Sequence, residues 1–214
     1  MKIYSTLINY AFKYVIETSK KYNIDDSHSL RHSIEVYQFA NKIYNNEVIY
    51  NPFLKDQKNI IMCSAILHDM CDKKYVDEQL GIENMNEYFK DYFKTEELQV
   101  INSIITTMSY STVNKNGYPQ LEPYNLAYHI VREADLLAAY DIERCMIFQI
   151  IHEKSNYTYS LECAKKLFNN RVLQYLPNNI FITEYSKKLA FELHNNALNK
   201  LKEIDIEIIK NEIT

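Results

Sequence analysis

Residues 60–72 of the chain read IIMCSAILHDMCD, and this stretch decides the fold and the place of the candidate site. Residues 60–67 are apolar nearly all round a helix, which is typical of a helix in the middle of a domain. His68 and Asp69 follow at once. Adjacent imidazole and carboxylate groups in apolar surroundings are costly unless something compensates them, and a divalent cation would do so. We therefore predict a buried helix that delivers this pair to a metal site.

The composition favours a helical protein. Of the 214 residues, 47% are hydrophobic, and only two are glycine and four proline, so the chain has little material for turns and flexible linkers. This length suits one domain with a single well-buried core. We expect an all-α fold of about eight or nine helices that forms one domain over residues 1–214.

Apolar residues at spacings of three and four predict helices on both sides of the opening stretch. Asn51 and Pro52 interrupt the chain just before it, and residues 111–123, with one glycine and two prolines, are predicted to form a loop. From Asn114 onwards this loop is either a lid or a plain surface loop. The predicted helices span 3–22, about 28–45, about 56–67, a short helix or connection within 75–93, 100–108, 124–140, 142–152, 161–176 and 182 to about 210.

Charge and patterning exclude several classes of protein. The net charge is −4 with interspersed Lys and Glu, which argues against binding to a nucleic-acid polymer. No run approaches the roughly 18 apolar residues of a membrane-spanning helix, and the start of the chain lacks a signal-peptide pattern. The four cysteines show no C-x-x-C spacing and are interpreted as reduced thiols. We expect a cytoplasmic protein with no membrane partner.

Two further regions carry candidate metal ligands. His28 and His32 are four residues apart, so on a helix both imidazoles lie on one side. The polar residues 25–27 are predicted to cap that helix, which places His28 in its first turn. Asp135 lies between apolar helical neighbours, where a bare surface acid is less expected. Only the full set, taken with the His-Asp pair, points to a site.

The set resembles the HD superfamily of metal-dependent phosphohydrolases, whose pattern is a His, a His-Asp pair and a distant Asp. The resemblance covers residues 24–141 and rests on three segments: His32 with Val36, Ala65-Ile66-Leu67-His68-Asp69 and Glu133-Ala134-Asp135-Leu136-Leu137. It implies a compact helical HD-domain fold, with helices at right angles around the metal and residues 142–214 completing the domain. The ligands that it implies are His32, His68, Asp69 and Asp135.

The resemblance also implies the cofactor and the chemistry. Two imidazoles and two carboxylates suit a divalent transition metal; manganese is favoured, and cobalt, nickel, iron, zinc and magnesium stay open. Only His129 lies between the His-Asp pair and Asp135, so a single metal is expected. The implied reaction is hydrolysis of a phosphomonoester or pyrophosphate link by a metal-activated water. The expected substrate is a small phosphorylated metabolite, in particular a nucleotide.

Three residues are predicted to be catalytic: Asp69, Asp72 and His28. Asp69 is expected to take part as a metal ligand at the reacting centre. Asp72 lies one helical turn after His68 and is either a general acid or base or an exposed acid paired with a nearby lysine. His28 is expected to contact the phosphate or to orient the water. The alternative is a residue at the start of its helix that binds nothing.

Phosphate binding is predicted for three lysines. Lys73 and Lys74 follow the His-Asp pair closely, and the resemblance favours Lys74. Lys166 lies in a stretch that weakly resembles the C-terminal helices of small HD hydrolases, where a lysine helps to close the pocket. Each of these lysines is otherwise interpreted as a solvated surface residue.

The main alternative function is a non-catalytic module that keeps the HD fold and senses a metal ion or a nucleotide without turning it over. A purely structural helical scaffold is a third hypothesis. The sequence leaves a homodimer open.

Overall fold

The computed structural model describes the backbone of residues 2–213 and the side chains of residues 5–204. Within that part the chain forms ten α-helices and one 3-10 helix and has no strand, so the predicted all-α class is confirmed. The helices are α1 (Lys2–Tyr22), α2 (Leu30–Tyr50), α3 (Leu54–Leu67), α4 (Glu78–Phe89), α5 (Thr95–Thr107), α6 (Tyr110–Asn116), α7 (Asn125–Ala138), α8 (Ile142–Ile151), α9 (Tyr157–Asn170), the 3-10 helix Val172–Gln174 and α10 (Glu184–Ile213).

Contacts divide the chain into two compact units, residues 1–138 and 139–214. The first unit contains α1 to α7, and the second contains α8 to α10 with the 3-10 helix. The single domain over residues 1–214 stays a prediction. No helix in the described part of the chain carries an apolar stretch of the length that a membrane crossing requires.

Helix α3 forms the centre of the first unit and packs against α1, α2, α5 and α7. All of its residues from Ile60 to Leu67 are buried, as the opening stretch of the sequence predicts. Full burial of each large apolar side chain contributes about 1.5–3 kcal/mol. This central helix fixes the place from which His68 and Asp69 leave the core.

The segment after α3 turns sharply and is held against α4. The Met70 amide donates to the Leu67 carbonyl and the Asp72 amide to the Asp69 carbonyl, a three-residue spacing that ends the α-helical pattern. Gly81 of α4 lies so close to Cys71 that a Cβ at that position would be 3.2 Å from the Cys71 Cα. The absence of a side chain at Gly81 therefore lets α4 approach the chain just beyond Asp69.

The structure corrects the loop that was predicted for residues 111–123. Its first half belongs to α6, because the Ser109 hydroxyl accepts the Thr112 amide at 3.2 Å and caps a short helix. Gly117 ends that helix with a φ of 76°, a left-handed conformation that favours glycine. Between α6 and α7 only residues 117–124 lie outside helices. The glycine and the two prolines therefore lie after the end of a helix, and the loop is shorter than predicted.

Other helix ends also differ from the predicted ones. Helix α2 begins at Leu30, so His28 lies in the turn before it and not in its first turn, and the helix continues to Tyr50. Helix α5 begins at Thr95, earlier than predicted, because the Lys94 amide donates to the Glu97 carboxylate at 2.8 Å. These ends depend on single hydrogen bonds, which the apolar periodicity does not contain.

The second unit has its own small core. Helix α9 packs against α8 and against the 3-10 helix, and its buried residues are Ser160, Leu161, Ala164 and Phe168. Asp141 caps α8 by accepting the amides of Glu143 and Arg144. The thiols of Cys145 and Cys163 are partly buried here, and those of Cys63 and Cys71 are buried in the first unit; all four are free, as predicted.

Candidate metal centre

Three helices of the first unit bring the predicted metal ligands together. His32 lies in the first turn of α2, His68 and Asp69 directly follow α3, and Asp135 lies in the last turn of α7. The helices α2, α3 and α7 pack against one another in all three pairs. Residues that are up to about a hundred positions apart in sequence therefore meet through helix packing.

The ligand atoms of His32, His68 and Asp135, here called the ligand group, all lie within 4.8 Å of one another. The two Nε2 atoms are 3.1 Å apart, and Asp135 Oδ1 is 3.3 Å from His32 Nε2 and 3.7 Å from His68 Nε2. Atoms bound to one ion at about 2.0–2.2 Å lie about 3.0 Å apart at neighbouring octahedral positions and about 3.4 Å apart at tetrahedral ones. The ligand group can therefore hold a metal ion.

Asp69 adds a fourth oxygen next to the ligand group. Its Oδ2 atom lies 3.1 Å from His68 Nε2 and 3.5 Å from His32 Nε2. That oxygen is buried, and when the His68 ring is neutral with its hydrogen on Nδ1 it has no hydrogen-bond donor among the residues that the structure describes. A buried carboxylate oxygen without a donor is destabilising, and a cation would supply the missing interaction. The residues present therefore fit a divalent metal.

The His68 ring is held in the orientation that a ligand needs. Its Nδ1 lies 3.0 Å from the carbonyl oxygen of Ala65, one helical turn earlier. Because a carbonyl oxygen only accepts hydrogen bonds, Nδ1 carries the proton, and in the neutral ring Nε2 keeps its lone pair. This backbone contact selects Nε2 as the ligand atom, as is common for metal-binding histidines.

The centre attracts positive charge. Burial alone would lower the pKa of His68, but Asp69, followed by Asp135, raises it to about 9. Burial likewise opposes ionisation of Asp69, yet His68 foremost, with smaller effects of His28 and His32, holds the pKa of that carboxyl well below its ordinary value. Without a metal a second proton therefore resides on His68 Nε2, beside the Asp69 oxygen, and a metal ion has to displace it.

His28 lies beside the ligand group. Its ring centroid is 6.3 Å from that of His32 and 5.6 Å from the Tyr75 ring. Its Nδ1 atom is 2.6 Å from the Ser27 hydroxyl and 3.0 Å from the Tyr75 hydroxyl. His28 is thus held at the edge of the centre by two hydroxyl groups.

Asp72 and Lys74 contact each other. Asp72 Oδ1 accepts the Lys74 amide at 2.9 Å, and Oδ2 lies 3.2 Å from the Lys74 ammonium nitrogen. This is the pairing with a nearby lysine that the sequence left as one of two alternatives for Asp72. Lys73 and Lys74 are exposed on the segment after Asp69, and Lys166 is exposed on α9 of the second unit. Phosphate binding by these lysines and acid or base catalysis by Asp72 stay predictions.

Sequence reasoning missed the contacts that join Asp25, Ser27 and Tyr75 to His28. Residues 25–27 carried only a helix-capping signal. Tyr75 is one of 19 tyrosines in the chain, so its residue type gave no signal at all. Only the folded chain places its hydroxyl 2.7 Å from an Asp25 carboxylate oxygen, 50 residues away in sequence.

Comparisons with known proteins support the fold. No protein-family sequence pattern matches the chain, and no curated protein sequence does. A crystal structure of a structural-genomics target from Lactobacillus plantarum matches with a TM-score of 0.70 over 96% of this chain and 98% of that one. The two chains are 17% identical, so the match concerns the arrangement of the helices alone.

Proposed function

We propose that the protein is a metal-dependent phosphohydrolase of the HD type. Its substrate is a small phosphorylated metabolite, a nucleotide by analogy with the superfamily that the sequence resembles. The bond that it cleaves is a phosphomonoester or pyrophosphate link. The observation that carries the proposal is the convergence of the ligand group with the buried Asp69 oxygen, which lies 3.1 Å from His68 Nε2 and has no donor among the described residues when that ring is neutral.

Four side chains would hold the metal: the ligand group and Asp69. Two imidazoles and two carboxylates suit manganese, iron, cobalt, nickel or zinc, and we take manganese as the native ion, with magnesium as a further candidate. When bound, the cation supplies Lewis acidity, which lowers the pKa of a water molecule and polarises a phosphoryl oxygen.

The chain itself orients the site and handles protons. The Ala65 carbonyl fixes the His68 ring, and His28 at the edge of the ligand group transfers the proton of the attacking water. Lys73 and Lys74, exposed just beyond Asp69, attract the substrate phosphate. Lys74 also binds Asp72, so that carboxylate is held close to the predicted phosphate position.

The test is a hydrolysis assay on chelator-stripped protein. Manganese, cobalt, nickel, iron, zinc or magnesium is added, and phosphate and pyrophosphate release is measured from a panel of nucleotides and sugar phosphates. We expect metal-dependent release that falls at least about 100-fold in Asp69→Asn, because the substitution removes an anionic ligand. Asp77→Asn is the matched control, since Asp77 caps α4 and lies outside the site.

The opposite result would be a folded wild type that binds a metal and hydrolyses nothing in the panel. Such a protein, if a nucleotide raised its melting temperature, would be the sensing module and not the enzyme. A protein that gains no stability from any of the metals would contradict the metal site itself.

A further inference from the structure

Four side chains form a hydrogen-bonded cluster next to the ligand group: Asp25, Ser27, His28 and Tyr75, here called the Asp25 cluster. The Ser27 hydroxyl donates to Asp25 Oδ1 at 2.5 Å, and the Tyr75 hydroxyl donates to Asp25 Oδ2 at 2.7 Å. The same two hydroxyl oxygens lie 2.6 and 3.0 Å from His28 Nδ1. Both hydroxyls therefore lie between the carboxylate and the imidazole.

The carboxylate in this cluster is ionised. Burial alone would raise the pKa of Asp25, but hydrogen bonds from Ser27 and Tyr75 more than offset burial and lower the pKa. The pKa of Tyr75 is raised, by burial first and then by Asp25, so the phenol stays protonated. An ionised carboxylate has no hydrogen to donate, and so Asp25 accepts from both hydroxyl groups.

These hydrogen bonds place the hydrogen of the neutral His28 ring on Nδ1. Each hydroxyl has one hydrogen, and both hydrogens point to Asp25. Towards His28 the Ser27 and Tyr75 oxygens can therefore only accept, and Nδ1 must be the donor. In the neutral ring the lone pair is then on Nε2. The neutral His68 ring has the same tautomer, in its case because of the Ala65 carbonyl.

Tyr75 shows that the cluster is more than a local turn. The Ser27 amide donates to Asp25 Oδ1 at 2.9 Å, and this backbone bond alone suffices for a turn before α2. Tyr75 comes from the segment after α3, which also carries Asp69. Its hydroxyl links the two segments that flank the ligand group, and a turn does not require that contact.

We propose that Asp25, Ser27 and Tyr75 are positioning residues that hold His28 in the Nδ1–H tautomer and so make its Nε2 the proton acceptor in the hydrolysis. This inference rests on the proposed function. As the water oxygen bonds to phosphorus, Nε2 takes one water proton, the bond from phosphorus to the leaving oxygen breaks, and that oxygen takes up a proton from solvent; the imidazolium later returns its proton to solvent. The positive charge on the imidazole is balanced by Asp25 through the two hydroxyl groups, as a buried carboxylate balances the histidine of other hydrolases.

The direct test is nitrogen-15 NMR of the histidine side chains, at a pH where His28 is neutral. Long-range correlation spectra of metal-stripped and zinc-loaded protein distinguish the two tautomers, and His28→Gln assigns the signal. We expect the Nδ1–H tautomer in the wild type and a shift towards Nε2–H in the double variant Ser27→Ala with Tyr75→Phe. Tyr118→Phe, which alters a tyrosine beside His129, should leave the His28 signal unchanged.

Kinetics then separate positioning from folding. We expect Tyr75→Phe to lower kcat by about 10- to 100-fold, with KM and metal affinity unchanged, because a misplaced base affects proton transfer and not binding. An Nε2–H tautomer in the wild type, or an unchanged tautomer in the double variant, would overturn the inference. The NMR measurement does not depend on turnover. If the protein hydrolyses nothing, the proposed function and the proton-acceptor role of His28 both fail, but the spectra still show whether Asp25, Ser27 and Tyr75 hold His28 in the Nδ1–H tautomer.

Discussion

His68 and His129 are both histidines of the first unit, and their surroundings push them in opposite directions. Asp69 and Asp135 overcome the effect of burial and raise the pKa of His68 to about 9. Burial, with a further contribution of Arg132, lowers the pKa of His129 to about 4. Yet His129 lies only six residues before Asp135 on the same helix, with its ring 4.9 Å from that of Tyr118.

The difference shows why the ligand group, and not His129, can hold a cation. Burial removes water from both imidazoles and by itself disfavours positive charge. Only at His68 do two carboxylates reverse that effect, and the buried Asp69 oxygen lies 3.1 Å from its Nε2. Converging carboxylates, and not the burial of a histidine, therefore favour positive charge at His68.

The largest effect is expected when each of the two histidines is replaced by alanine and metal binding is measured. His68→Ala removes one of the proposed ligands, so the affinity for manganese or cobalt should fall at least about 100-fold. His129→Ala should bind the metal as the wild type does. Isothermal titration calorimetry on chelator-stripped protein measures both, with circular dichroism to verify folding. Equal losses in the two variants would mean that the metal is not bound at the ligand group.

The pH dependence of metal binding should be the next largest effect. His68 is protonated below its pKa of about 9 and must lose that proton to act as a ligand. The apparent dissociation constant should therefore decrease by about tenfold per pH unit between pH 6.5 and 8.5. Titrations in buffers of different ionisation enthalpy should also show that protons are released on binding. Affinity independent of pH would contradict the arrangement around His68.

The stability of the metal-free protein should show the opposite signs of the two histidines. A raised pKa makes His68 stabilising below pH 6.5, and this contribution is lost as the pH rises through about 9. A lowered pKa makes His129 stabilising above pH 6.5, and this contribution is lost as the pH falls towards 4. As the pH falls from 6.5 to 4, the free energy of unfolding of the wild type should therefore decrease by on the order of 1 kcal/mol more than that of His129→Gln. The effect is no larger because the His129 ring is partly exposed to solvent. Urea unfolding at several pH values measures this, and parallel losses in both proteins would contradict it.

The exposed lysines after Asp69 should give the smallest change in stability. Lys74→Met removes a surface ion pair with Asp72, and such pairs contribute about 0–1 kcal/mol. If Lys74 binds substrate phosphate, KM should rise about tenfold while the metal affinity stays the same. Lys55→Met, an exposed lysine of α3, is the control. An unchanged KM in Lys74→Met would leave Lys74 with the structural role alone.

The sequence could predict the candidate site where local pattern carried the information. The run from Ile60 to Leu67 predicted a buried helix that ends at His68 and Asp69, and α3 is that helix. His32 and Asp135 stood out as polar residues within helical apolar patterns, and both join His68 in the ligand group. Spacing along a helix is local, so these predictions required no knowledge of packing.

The sequence could not decide the roles that depend on a single contact. Asp72 had two equally simple interpretations, and only the folded chain places it on Lys74. The short helix α6 depends on the Ser109 cap and on Gly117, within a segment whose composition predicts a loop. Hydrogen bonds of this kind depend on where a backbone turns, and composition does not fix that position.

The sequence by itself determined that the protein is helical, which helix lies at its centre and which residue types are available to a cation. The tertiary structure alone decided that the ligand atoms of α2 and α7 meet those at the end of α3, and that Tyr75 joins Asp25 to His28. The physical reason is that the helical repeat places a side chain on a face, whereas the packing of one helix against another decides which faces meet.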